Sequence, residues 1–198
     1  NQSNLQSYLI EITADIFTKK DEKSQHDLVD MILDKAKQKG TGLWTSQSAL
    51  ELNVPIPTID VSVTMRYLSA LKEERVQLAK QYPNNQPIAL TIDKNKLKET
   101  AYEALQLSIL AAYTQGLNLI LTASKAFGYE VEIKRAIKVW RAGCIIRSLL
   151  LNDLYEAFDN DASLTNILAS KVFNSQVQSQ HSSLKSFVKT ALDVQVSA

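Results

Sequence analysis

The chain has 198 residues, 45% hydrophobic and 22% charged, enough to bury one substantial core, and it reads as a single domain over residues 1–198. Its 22 Lys and Arg against 21 Asp and Glu leave a net charge of +1, which excludes the basic field of a non-specific nucleic-acid binder. Five Gly and four Pro are less than half of the roughly 12% an ordinary chain carries, which excludes a turn-dense sandwich or barrel and predicts an all-α fold.

Apolar residues at Leu5, Tyr8, Leu9, Ile12 and Ile16 mark one face of a helix, with Asn4 as N-cap and Lys19 and Lys20 at its C-terminal end. Residues 27–36 read as a short helix after a polar connector, a length that also permits a strand. The Lys37–Thr45 stretch, KQKGTGLWT, is a glycine-punctuated loop, after which Thr45 or Ser46 caps a helix through Leu52. Asn53 and the VPIP stretch force an extended exit. A long helix is expected from Thr58 to about Tyr82, closed by Pro83 and a loop at residues 84–87.

Asp93 caps the longest segment, which runs to about Phe127 with Gly128 just past its end. Further helices are expected at 132–140, 145–158, 164–169 and 171–194, the first two separated by Arg141-Ala142-Gly143. No uninterrupted apolar run approaches the ~20 residues that span a bilayer, so no membrane partner is expected. Residues 1–7 are polar and lack the pattern of a signal peptide, and the absence of an initial Met suggests a piece of a longer chain.

The chemistry-bearing residues are few. His26 and His181 stand far apart in polar surroundings without a second ligand at metal spacing, so no metal site is expected. Cys144 excludes an intrachain disulfide, suits a reducing compartment, and reads as a small buried hydrophobe. Walker A, GxSxG and GxGxxG patterns are missing. The Lys39-Gly40-Thr41-Gly42 loop is either an ordinary turn or an anion site built from backbone N–H groups, a hydroxyl and a cation. Arg66 falls on the stripe Ile59, Ser62, Val63, Arg66, Tyr67, Ala70, where a partly sunk guanidinium needs either an internal carboxylate or a bound anion. The run Lys72-Glu73-Glu74-Arg75 reads as a solvated face. Trp140-Arg141-Ala142-Gly143-Cys144-Ile145-Ile146-Arg147 reads as a helix junction in the core.

Five segments, in order, resemble one family. They are SYLIEIT at residues 7–13, QKGTG at 38–42, Trp44-Thr45 with the helix after it, RYLSALK at 66–72, and WRAGCIIR at 140–147. Together they are similar to the all-helical domain of 6-phosphogluconate dehydrogenase, the decarboxylating enzyme of the pentose phosphate pathway. The resemblance implies that Lys39, Thr41 and Arg66 hold the phosphate of 6-phosphogluconate. It implies NADP as cofactor of a longer parent, none of it bound by this chain, and a cytoplasmic homodimer. No residue here matches the family's catalytic lysine and glutamate, and its cofactor domain and substrate-binding tail have no counterpart in residues 1–198. Two departures stand out: Leu43 replaces a usual Lys, and Ala142 a usual Gly, which matters only if position 142 needs a positive φ. The alternatives are a stand-alone helical scaffold without catalysis, and a related hydroxyacid dehydrogenase of an unphosphorylated acid.

Overall fold

Among the described residues the apolar spacings of three and four become nine α-helices and no strand forms, so the all-α expectation holds. The computed structural model describes residues 4–37, 39–83 and 92–196. Gln38 of the glycine segment and the expected loop at residues 84–87 lie outside them. In chain order the helices are α1 Tyr8–Thr18, α2 Leu28–Met31, α3 Thr41–Glu51, α4 Pro57–Ala70, α5 Lys72–Gln81, α6 Lys94–Phe127, α7 Ile133–Trp140, α8 Leu150–Asn160 and α9 Lys171–Asp193.

α6 is the axis. Asp93 caps it through N–H groups of Asn95 and Lys96, and Gly128 ends it at φ 67°, both as its sequence predicts. Leu107, Leu110 and Leu117 of α6 bury against Ile137 of α7, Leu151, Leu154 and Phe158 of α8, and Phe173 of α9. The opposite wall is smaller: Leu119 packs with Ala49, Val54 and Ile56. By length and composition alone α6 could cross a bilayer, unlike the expectation from uninterrupted runs. The difference is one of geometry, since a helix collects apolar residues on faces. Here its fully buried positions meet other helices of the same chain.

Polar groups of α6 also fix its neighbours. The Gln115 side chain accepts from the Thr58 N–H at 2.9 Å and donates to the Thr58 hydroxyl at 2.9 Å. It thereby caps α4, whose own N-cap, Ile56, has no side chain to do so. Gln180 of α9 donates to Gln106 of α6 in a buried contact.

Several boundaries differ from the sequence reading. Ser7, rather than Asn4, caps α1, because residues 6–8 pair with residues 147–149: the Tyr8 N–H reaches the Arg147 carbonyl at 3.1 Å, and Leu149 N–H the Gln6 carbonyl at 2.9 Å. Residues 145 and 146 turn, Ser148 bridges to Ser7, and α8 begins only at Leu150. Only Ile167–Ala169 of the expected 164–169 helix is helical, as a 3-10 turn capped by Asn166. The expected 27–36 helix shrinks to α2, and the expected Thr58–Tyr82 helix breaks at Leu71.

The WRAGCIIR stretch is a junction, as its composition suggests. Trp140 packs on the main core, and the Arg147 guanidinium lies 3.8 Å over the Tyr8 ring. Gly143 takes a positive φ while Ala142 does not, so the alanine is tolerated where the family usually has glycine. Cys144 is half-buried rather than buried, because the junction lies at the surface edge of α7 and α8.

Candidate functional site

The glycine segment is a helix start. Gly40 is the N-cap of α3 at φ 101°, a backbone only glycine adopts freely, and the Trp44 N–H bonds the Gly40 carbonyl at 3.0 Å. A Cβ at Gly40 would stand 3.2 Å from the Trp44 indole. Thr45 and Ser46 are therefore inside the helix and not caps. Thr45 donates to the Thr41 carbonyl at 2.8 Å, and Ser46 to the Asp60 carboxylate of α4 at 2.7 Å. The end of α3 is equally defined: Asn53 takes φ 55°, and the Val54 N–H returns to the Ala49 carbonyl at 2.8 Å, a Schellman closure that delivers the chain to Pro57.

Lys39 and Thr41 are exposed at this N-terminus. Thr41 and Gly42 open α3, and the helix dipole adds partial positive charge there. Arg66 is exposed too, not sunk in the apolar face as its stripe suggests, because that stripe buries only Val63 and turns Arg66 toward the loop. Its guanidinium donates to the Lys37 carbonyl. Lys37 precedes Lys39 by two residues, at most about 7 Å of chain. Thus Arg66 and the Lys39–Thr41 corner come to one edge of the molecule. One Arg66 N–H group is used by the loop, and a guanidinium has five.

The approach to this corner is held by Ser69 and Asp34, to which the sequence reading assigned no role, and by the Lys72–Arg75 run, which it read as a solvated face. Ser69 accepts from the Ala36 N–H at 3.0 Å and donates to the Arg66 carbonyl at 2.8 Å. Lys72 bonds the Asp34 carboxylate. Arg75 Nη2 reaches the Asp34 carbonyl at 3.0 Å, its Oδ2 at 3.2 Å, and the Ser69 carbonyl at 3.0 Å. Lys35 pairs with Glu73 at 2.9 Å. Lys72 and Arg75 are thus a clamp on residues 34–37 and not merely a solvated face. The clamp also explains both shortened helices. Residues 34–37 are drawn off α2, and the break at Leu71 frees the Ser69 carbonyl and turns α5 onto the loop. Lys72, then Arg75, hold the Asp34 carboxyl below its ordinary pKa, and Lys35 does the same for Glu73. The signal available in sequence was the period of three through Arg66, Ser69, Lys72 and Arg75.

Elsewhere the chemistry is thin. An apolar cavity of about 290 Å3 lies between α1, α6 and α8, lined by Leu9, Ile10, Ile109, Tyr113 and Leu150, with no Lys or Arg among its described residues. No group of His, Cys, Asp and Glu among the described residues could hold a metal ion, and both histidines are exposed.

Comparison with known proteins gives this edge its context. Residues 1–198 match the family model described as "6-phosphogluconate dehydrogenase, C-terminal domain". The NADP(+)-dependent, decarboxylating 6-phosphogluconate dehydrogenase of Bacillus subtilis is 43% identical over 97% of this chain, and decarboxylating enzyme 1 of Oryza sativa is 39% identical over all of it. This chain spans 41% of the length of each. A solved structure of Plasmodium falciparum 6-phosphogluconate dehydrogenase, described apo, with its cofactor NADP+ and with its substrate 6-phosphogluconate, superposes with a TM-score of 0.94. It is 34% identical over the whole chain, which covers 42% of that structure. The chain belongs to the family of the 6-phosphogluconate dehydrogenase C-terminal domain.

Proposed function

We propose that this chain is the helical substrate-binding and dimerisation part of an NADP-dependent, decarboxylating 6-phosphogluconate dehydrogenase, which turns 6-phosphogluconate into ribulose 5-phosphate and carbon dioxide. The observation that carries the reading is the Arg66 hydrogen bond to the Lys37 carbonyl, two residues before Lys39 and close before the α3 N-terminus, in a chain whose every residue falls within the family match. A sugar phosphate brings close to two negative charges at neutral pH and three acceptor oxygens. The α3 amides and the Thr41 hydroxyl donate hydrogen bonds, Lys39 supplies a point charge, and Arg66 a planar fork.

This chain has no glycine fingerprint for a dinucleotide, so its residues do not fit NADP, and no step on the cofactor is assigned to them. Its part is to hold the phosphate end of the substrate, with the proton transfers left to residues outside it. The homodimeric form is supported by Val61, Met65 and Leu68, exposed along one face of α4 at spacings of four and three. A cytoplasmic location is supported by the single free Cys144.

The test is kinetic. In the full-length protein, Lys39→Ala and Arg66→Ala should each raise KM for 6-phosphogluconate by about 10- to 100-fold, the loss of one charge-assisted contact, with kcat little changed. An unaltered KM in either variant overturns the assignment.

A further inference from the structure

We propose that Asp34 and Ser69 are positioning residues for the phosphate corner, fixing residues 34–37 on the α4–α5 ridge so that Lys39 and Arg66 face one anion at a set separation. The inference rests on the phosphate reading above and adds to it a means of alignment that neither residue provides by touching substrate.

The geometry is specific. Residues 34–37 are neither helix nor strand, so little within the segment fixes their course. What does so is a row of side chains three residues apart on the ridge: Arg66, Ser69, Lys72 and Arg75. Ser69 is the narrowest link, since one hydroxyl joins the carbonyl of Arg66 to the amide of Ala36. The turn that carries one cation is thereby tied to the loop that carries the other. Asp34 is the far anchor, held through its carboxylate and its carbonyl by Arg75, with Lys72 on the other oxygen. The Leu71 break makes this possible, because the same Arg75 nitrogen also reaches the Ser69 carbonyl.

Energetics argue for alignment over bulk stability. The Asp34 side chain is 56% exposed and those of Lys72 and Arg75 about a third, and ion pairs at such sites add little to folding. A displacement near 1 Å in a binding constellation, by contrast, is costly to function. Five covalent steps separate Asp34 from Lys39, so loosening the anchor lets the lysine wander without unfolding the domain.

The experiment uses the full-length protein and four substitutions, Asp34→Asn, Ser69→Ala, Ser69→Thr and Lys39→Ala, reading KM for 6-phosphogluconate, kcat and thermal midpoint. Asp34→Asn and Ser69→Ala should raise KM about tenfold with kcat within about twofold and the midpoint nearly unmoved, and Ser69→Thr, which keeps the hydroxyl, should restore KM. If Lys39→Ala raises KM and the other two do not, the positioning role is overturned while the phosphate site stands. If Lys39→Ala itself leaves KM alone, the phosphate site falls, and the positioning role with it. A fall in kcat together with a lowered midpoint, not rescued by Ser69→Thr, assigns these residues to folding alone and also overturns the proposal.

Discussion

The two walls of α6 are built by different physics. On one, α7, α8 and α9 bury Leu110, Ile137, Leu151 and Leu154 completely, and the contact is mainly apolar, with the buried Gln106–Gln180 hydrogen bond set into it. On the other, a small cluster around Ala49 and Ile56 supports a ridge whose outer surface is fixed by hydrogen bonds and ion pairs at Asp34, Ser69, Arg66 and Arg75. Burial can tolerate small shifts of a side chain, whereas a hydrogen bond cannot. The molecule therefore keeps most of its apolar burial on one side of α6 and the geometry of the proposed anion corner on the other.

The contrast breaks most visibly if the core is cut. Leu154→Ala removes a fully buried side chain between α8 and its neighbours and should lower unfolding free energy by about 2–5 kcal/mol. Denaturant titration measures this, and the assay for 6-phosphogluconate should show an unchanged KM in the fraction that remains folded. A KM that moves with the core would mean that the two walls are one cooperative unit. A smaller effect of opposite character is expected from Gly40→Ala. There an L side chain must adopt φ 101° and meet the Trp44 indole at 3.2 Å, a local strain of about 1–3 kcal/mol. Fraying of the α3 N-terminus should weaken phosphate binding more than it lowers the unfolding midpoint. Equal losses in both would place Gly40 with the core instead.

The same division decides what could be read from sequence. α6 was legible from Asp93 to Gly128 because capping and helix termination are local, and α7 and α9 because their apolar periods are clean. Residues 27–36 and the Leu71 break were not, since no Gly or Pro marks them. They arise from partners 33 to 41 residues away in the chain: Ala36 with Ser69, and Asp34 with Arg75. The start of α8 failed for the same reason, residues 147 and 149 being hydrogen-bonded to residues 8 and 6, far away in the chain. Lys39, Thr41 and Arg66 were legible as candidates through the family resemblance. Arg66 was placed on the wrong surface, because a period of three and four shows which residues share a face and not what lies opposite.

The smallest expected effect lies in pH. Lys72 first, then Arg75, hold the Asp34 carboxyl below the ordinary carboxylate value, and the Lys35–Glu73 pair beside it acts in the same direction. For a group whose pKa is depressed by folding, the stabilising contribution is complete above the unfolded value and disappears as pH falls through the folded one. The clamp should therefore be constant across neutral pH and release only in acid, below the usual carboxylate range. The release has the Asp34 and Glu73 carboxylates as its source. Protonation of a sugar phosphate near pH 6 should also weaken the proposed binding, well above the pH at which the clamp opens. The signature is thus a second, lower step in loop protection, read by amide exchange at Ala36 and Lys37 in the wild-type protein and absent in Asp34→Asn. A single step in both proteins would show that residues 34–37 are held without the Asp34 charge, and the ridge would then owe its geometry to the Ser69 and Arg66 hydrogen bonds alone.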